Sequence, residues 1–104
     1  AFEKLYAQGV TAICCASDKM AVGVIHAAQA AGLSVPEDFS VTGYDNDSLC
    51  NSIYPGLTTL SQDFFRVGQV AATLMHCQLH GLPMGPVSII PPLLVRSSTA
   101  EVKS

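Results

Sequence analysis

Short apolar runs of strand character alternate with helical segments along this chain, and no other feature restricts the fold as strongly. Residues 11–16 form an apolar run between Gly9 and Ser17, as expected for a strand that is buried on both faces. Ser17 and Asp18 offer N-cap side chains for a helix that Gly32 would end. Strands that alternate with helices predict an α/β fold, with a mainly parallel sheet flanked by helices.

Further strands and a second long helix continue this pattern. The strands are predicted at 39–43, 57–60, 87–90 and 93–99. The helix is predicted over about 63–80, with Ser61 or Gln62 as its cap. Apolar spacing predicts one buried stripe for each helix: Met20, Val24, Ala27 and Ala31 in the first, and Phe64, Val67, Ala71, Leu74 and Met75 in the second.

The composition limits the classes of partner. Charged residues make up 12% of the 104 residues and hydrophobic residues 49%, whereas soluble domains usually have about 25% charged residues. Binding to the phosphate backbone of DNA needs a basic face. The net charge of −3, with only five Lys and Arg, therefore argues against DNA binding by this segment. No apolar run approaches the about 20 residues of a membrane span, so no membrane partner is predicted.

Four cysteines are present, and their spacing is not that of a disulfide framework or a zinc site. Cys14 and Cys15 are adjacent in a predicted strand, so their side chains point to opposite faces and cannot easily bridge. Cys50 and Cys77 are isolated. Reduced thiols of this kind predict a cytoplasmic protein, and a disulfide-linked protein is the weaker alternative.

Polar side chains follow two of the predicted strands. In parallel α/β sheets, ligands bind beyond the carboxyl ends of the strands, where the loops converge. Ser17 and Asp18 follow the first strand, and residues 44–47 follow the second. Their carboxylate, hydroxyl and amide groups suit the vicinal hydroxyls of a sugar or nucleoside. The alternative role for Asp18 and Asp47 is helix capping, whereas Asp45 is predicted to face a ligand.

Three segments, in this order, resemble motifs of the LacI/GalR family of transcription regulators. They are SDKMAVGVIHAAQAAGLSVPEDFSVTGYDN at 17–46, PGLTTLSQDFFRVGQVAATLM at 55–75 and IIPPLLVRSST at 89–99. The resemblance implies a two-lobed sensor of the periplasmic-binding-protein type I fold. The chain would be an incomplete fragment of it, without a DNA-binding helix-turn-helix.

The resemblance also implies an effector site. Asp45 corresponds to the family's sugar-binding aspartate, and Gln62 and Phe64 to residues that line the cleft, where an aromatic ring can stack on a sugar. Ser17 stands where the family usually has Asn, and its hydroxyl reaches less far and donates one hydrogen bond rather than two. Asn46 replaces the commoner second Asp. The implied effector is a sugar or sugar phosphate, with a nucleoside as a further candidate.

A homodimer and a division into lobes follow from the same resemblance. Residues 1–60 and 93–104 would belong to the C-terminal lobe, and 63–90 to the N-terminal lobe. The implied dimer contacts are Met20, Val22, His26, Leu49 and Ile53. Val24 lies on the same helix, but core packing explains it better. Operator DNA would be reached only through a head that this chain does not contain.

No pattern of catalytic or metal-binding residues accompanies these features. His76 and His80 have i, i+4 spacing, but no third ligand is nearby, and a solvated helix end explains them. We predict no enzyme activity, no metal and no cofactor. The function predicted is the effector-sensing and dimerisation portion of a sugar-responsive repressor. The alternative is a periplasmic sugar-binding protein of a transport system, which the four cysteines and the VPEDFSVTGYD run disfavour.

Overall fold

A computed structural model describes residues 1–103 and contains one four-stranded sheet. The helices are α1 (Phe2–Tyr6), α2 (Asp18–Ala30) and α3 (Phe64–Leu79), with a 3₁₀ helix at Ser48–Asn51. The strands are β1 (Ala12–Cys14), β2 (Ser40–Asp45), β3 (Thr58–Ser61) and β4 (Leu93–Leu94), in the spatial order β1-β2-β3-β4. The first three strands are parallel and β4 is antiparallel to β3, which confirms the predicted α/β fold with a mainly parallel sheet.

One predicted strand is absent, and another is shorter than predicted. Residues 87–90 form no strand, because within residues 1–103 no neighbouring strand pairs with them and the following Pro91 and Pro92 have no amide donors. The strand predicted at 93–99 ends at Leu94. Beyond it, the amide of Arg96 donates to the hydroxyl of Thr58 at 3.0 Å rather than to a backbone carbonyl, so the ladder stops.

The buried stripe of α2 lies one position away from the prediction. It consists of Asp18, Ala21, Ile25 and Ala28. The predicted stripe began at Met20, which is 61% exposed, and continued through Val24, Ala27 and Ala31, of which only Val24 and Ala27 are even partly buried. Because the side chain of Asp18 turns inward to β3, the positions at helical spacing from Asp18 face the sheet.

The predicted stripe of α3 is not buried within this chain. None of the residues of α3 is buried, and Phe64 and Met75 are 62% and 57% exposed. The cap also differs from the prediction, because the side chain of Asp63, not of Ser61 or Gln62, accepts from the amide of Arg66 at 2.9 Å. The sequence pattern of α3 is amphipathic, so its apolar face requires a partner that residues 1–103 do not provide.

Helix α3 and the segment after it make the molecule elongated. The radius of gyration is 17.9 Å, whereas a compact domain of this length has about 13 Å. Apolar side chains that remain exposed in this part include Phe65, Leu79, Leu82, Met84 and Ile90. Over residues 1–103, no helix has both the length and the apolar character needed to cross a membrane.

Candidate functional site at the carboxyl ends of the strands

A depression of about 350 Å³ lies beyond the carboxyl ends of β1 and β2. It is lined by Ser17, Asp18, Lys19, Asp45, Asn46, Asp47 and Phe64. The fold thus brings together three of the four predicted effector residues, Ser17, Asp45 and Phe64. The fourth, Gln62, lies outside the lining but donates from Nε2 to Oδ1 of Asp45 at 2.9 Å. Their roles toward an effector stay predictions.

Asp45 ends β2 with an unusual backbone conformation. Its φ is 113°, and the φ of Asn46 is 60°, so two successive residues other than glycine have positive φ. Such conformations cost about 1–3 kcal/mol each and occur where the surroundings hold them, often at ligand sites. Gln62 occupies Oδ1 of Asp45, and Oδ2 accepts no hydrogen bond from residues 1–103. Asp45 therefore presents one free carboxylate oxygen beside the depression.

Ser17 and Asp47 both act as caps. The hydroxyl oxygen of Ser17 accepts from the amide of Met20 at 3.3 Å, which makes Ser17 the N-cap of α2. Asp47 caps the 3₁₀ helix, since its Oδ1 accepts from the amide of Leu49 at 3.3 Å, as the capping alternative predicted. A lone pair and the hydrogen of the Ser17 hydroxyl are still available to a ligand.

Asp18 has a different role from the predicted cap. It is the first residue of α2 and is only 1% exposed, and its carboxylate accepts from the hydroxyl of Thr59 and the amide of Asp47, both at 2.6 Å. Burial alone would raise the pKa of Asp18. The hydrogen bond from Thr59, with those from Asp47, Cys50 and Asn46, outweighs burial and lowers this pKa below its ordinary value. A buried, ionised carboxylate therefore ties α2 to β3 and to the loop after β2.

The thiol of Cys50 gives this network a pH dependence on the alkaline side. Burial, then the hydrogen bond and negative charge of Asp18, raise the pKa of Cys50 from 9.0 to about 11. The unfolded thiol ionises first, so this contribution to stability is complete below pH 9.0 and is lost as the pH rises toward about 11. We expect urea unfolding to show this loss in the native chain and in Cys77→Ser, and a smaller loss in Cys50→Ser, where Cys15, whose pKa is also raised by burial, still contributes. An equal loss in Cys50→Ser would contradict the assignment to Cys50.

Sequence reasoning missed two residues that hold this site. Asp18 is predicted at the strand-end site with capping as the alternative, and neither prediction includes its role as a buried anchor, although its helical spacing from Ala21 and Ile25 could have indicated an inward side chain. Arg96 was part of a motif but had no assigned role. Its Nη2 donates to Oδ1 of Asn46 and its Nη1 to the carbonyl of Leu57, both at 2.8 Å.

The predicted dimer residues differ in accessibility. Met20 and Leu49 are 61% and 39% exposed, and His26 is exposed on α2. Val22 is half-buried, and Ile53 is half-buried against the core. The first three are free to contact another molecule, whereas the last two can offer only part of their surface. The dimer interface stays a prediction.

The lining of the depression offers polar groups and one aromatic ring to a ligand. The carboxylates of Asp45 and Asp47 can accept from hydroxyl groups, and the exposed ring of Phe64 can cover an apolar face. Among residues 1–103, no three His, Cys, Asp or Glu side chains come together as metal ligands do. This arrangement suits the binding of a polyhydroxylated molecule.

Comparison with known proteins identifies the domain family of this chain. The periplasmic binding protein-like domain family matches residues 2–99. The HTH-type transcriptional regulator MalR of Streptomyces coelicolor is 39% identical over 99 residues, which cover 93% of this chain and 29% of MalR. The chain thus spans less than a third of the length of the curated relatives that it matches.

Two solved structures resemble the fold closely. A LacI family transcriptional regulator from Enterococcus faecalis with bound ribose has a TM-score of 0.86 and 33% identity, covering 99% of this chain and 39% of that chain. The lac repressor dimer bound to operator and the anti-inducer ONPF has a TM-score of 0.84 and 30% identity, covering 96% of this chain and 36% of that chain. The relative and the two neighbours named here are transcription regulators, and the chain itself belongs to the periplasmic binding protein-like domain family.

Proposed function

We propose that this chain is the effector-sensing and dimerisation portion of a sugar-responsive transcription repressor that is not an enzyme. The observation that carries the proposal is the depression at the strand ends, where Asp45 keeps one free carboxylate oxygen next to Ser17 and Phe64. The relatives named above are transcription regulators, and one structural neighbour holds ribose. A repressor acts on DNA in the cytoplasm, and the four free cysteines fit that compartment.

The charges around the depression favour a neutral effector. Asp45 and Asp47 contribute two carboxylates besides the buried one of Asp18, and Lys19 is the one cation among the lining residues. The negative surroundings would repel a phosphate ester, whereas hydroxyl groups can donate to the carboxylates. Among the candidate effectors, a neutral sugar or nucleoside therefore fits better than a sugar phosphate.

Residues 63–90 would belong to the second lobe of the sensor. The chain would cross between lobes near 61–62 and again at Pro91–Pro92, and 1–60 with 93–104 would form the other lobe. In support, α3 buries none of its residues and leaves Phe65 and Leu79 more than 70% exposed. A ligand that binds one arrangement of the lobes better than the other would then change how two DNA-binding heads sit on an operator.

The outer face of α2 and the 3₁₀ helix would form the dimer contact. Met20, His26 and Leu49 offer exposed side chains there, with Val22 and Ile53 contributing partly buried ones. The lac repressor neighbour is a dimer bound to operator. Operator DNA would be contacted by a head outside this chain, because the chain has a net charge of −3 and lacks a basic face.

Calorimetry on the full-length protein that carries this chain tests the effector site. We expect one of ribose, glucose, maltose or adenosine to bind, and ribose 5-phosphate to bind more weakly than ribose. Asp45→Ala should weaken the tightest of these interactions about 100-fold, because it removes charge-assisted hydrogen bonds. Glu37→Ala, which removes an exposed carboxylate just before β2, should leave affinity unchanged. Equal affinity of native protein and Asp45→Ala would refute the site.

A further inference from the structure

We propose that Arg96 is a positioning residue for the effector loop, defined as residues 45–47. Resting on the proposed function, this inference assigns to Arg96 the task of holding the loop in the conformation that aims Asp45 into the depression. Arg96 is half-buried and does not line the depression itself, so it would act through Asn46.

The guanidinium of Arg96 bridges β3 and the effector loop. Nη1 donates to the carbonyl of Leu57, just before β3, and Nη2 donates to Oδ1 of Asn46, both at 2.8 Å. The backbone amide of Arg96 donates to the hydroxyl of Thr58 at 3.0 Å, which fixes the start of the side chain. A planar guanidinium with two anchored nitrogens has a defined direction, which the flexible ammonium of lysine cannot reproduce.

Asn46 needs this support because of its backbone. Its φ of 60° follows the φ of 113° at Asp45, so two successive residues of the loop have positive φ. Asparagine tolerates this region better than most residues, but the conformation still has to be held. The other side-chain contact of Asn46 is weaker, since its Nδ2 donates to the hydroxyl of Ser61 at 3.2 Å.

Each residue of the effector loop is held by a different element. Gln62, after β3, holds the carboxylate of Asp45. Arg96, after β4, holds the side chain of Asn46, and Asp18 of α2 holds the amide of Asp47. The loop is therefore fixed at three points before any ligand binds, which lowers the cost of ordering it on binding.

The position of Arg96 also connects the loop to the proposed lobe crossover. Arg96 follows β4 by two residues, and β4 follows Pro91–Pro92 directly. The carbonyl of Pro92 accepts from the amide of Ser61 at 2.9 Å, so the two proposed crossing segments are bonded to each other. Only the short strand β4 and Val95 therefore separate the proposed crossover from Arg96, whose side chain holds Asn46.

The test measures the loop itself in the full-length protein that carries this chain, without a ligand. Three-bond couplings between amide and Cα protons report φ at Asp45 and Asn46, and hydrogen exchange reports opening at the amide of Asp47. The amide of Cys15, which donates to the carbonyl of Thr42, serves as the core reference. The variants are Arg96→Gln, Arg96→Lys and Asn46→Ala, and Arg66→Gln in exposed α3 is the matched control.

We expect Arg96→Gln to change the coupling at Asn46 and to speed exchange at Asp47 about tenfold or more, as the loss of one charge-assisted hydrogen bond predicts. Exchange at Cys15 should rise much less, and Arg66→Gln should change neither amide. In Arg96→Lys, exchange at Asp47 should be faster than in Arg66→Gln and slower than in Arg96→Gln. If the Gln variant does not fold, the Lys variant takes its place in the comparison. Combining Asn46→Ala with Arg96→Gln should speed exchange at Asp47 by less than the product of the two single effects, because each substitution already removes the bond between Arg96 and Asn46.

An unchanged loop in Arg96→Gln, or an equal rise in exchange at Asp47 and Cys15, would overturn the proposal in favour of a merely structural arginine. This outcome is separate from the proposed function. If no sugar or nucleoside binds the full-length protein, the proposed function fails while the loop measurements still decide the role of Arg96. If the loop is unaffected, the assignment fails whatever the protein binds.

Discussion

Replacing Asp18 with alanine is expected to lower the free energy of unfolding by about 2–5 kcal/mol. The carboxylate is 1% exposed and accepts from the hydroxyl of Thr59 and the amide of Asp47. Alanine removes the acceptor of the buried Thr59 hydroxyl and of the partly buried Asp47 amide, and an unpaired buried donor costs about 1–3 kcal/mol. The contact between α2, β3 and the effector loop would also be lost.

Urea unfolding of the 104-residue chain, followed by circular dichroism, measures this loss. The matched control is Asp63→Ala, which removes an exposed N-cap carboxylate of α3 and should cost only about 1 kcal/mol. A variant that is unfolded without urea would agree with the prediction. A loss no larger than that of Asp63→Ala would show that the buried network contributes little.

The second large effect is expected at Gly43 in β2. A Cβ atom there would overlap the carboxylate of Asp18 and lie 2.9 Å from Cδ2 of Leu57 and 3.1 Å from Cα of Asp18. One of these contacts is to backbone, so α2 would have to move away from the sheet. We expect Gly43→Ala to destabilise the chain by about 3 kcal/mol, the upper end for overpacking of a core.

Gly68→Ala is the control for this substitution. Gly68 lies within α3, where an added Cβ meets no atom within 4 Å, so alanine should raise the free energy of unfolding by about 0.5–1 kcal/mol. The same chemical change is thus expected to have opposite signs at the two glycines. If both variants gain stability in urea unfolding, the close approach of α2 to β2 is wrong.

Much of the fold could be predicted from local sequence patterns. The α/β class, the ends of α2 and the strand that leads to Asp45 follow from apolar spacing and capping residues. Gly32, for example, was predicted to end α2, and it has the positive φ of 75° that such a helix end requires. These features depend on residues a few positions apart, whose interactions are set by helix and strand geometry.

The sequence also identified Asp45, Ser17 and Phe64 as candidate effector residues. The strand-end rule pointed to the first two, and the family resemblance added the aromatic residue and Gln62. The structure brings the first three to one depression and links Gln62 to Asp45. Ser17 and Asp45 follow the ends of neighbouring parallel strands, which explains why a rule about topology could select these two.

The sequence by itself determined the order and type of most elements, though not the absence of a strand at 87–90, and with them the edge of the sheet at which a ligand would bind. Only the tertiary structure decided which stripe of α2 is buried, that Asp18 is a buried anchor and that Arg96 reaches Asn46. These contacts join residues 41 and 50 positions apart, such as Asp18 with Thr59 and Arg96 with Asn46. No local periodicity encodes such pairs, because they arise only when the packed sheet brings distant segments within hydrogen-bonding distance.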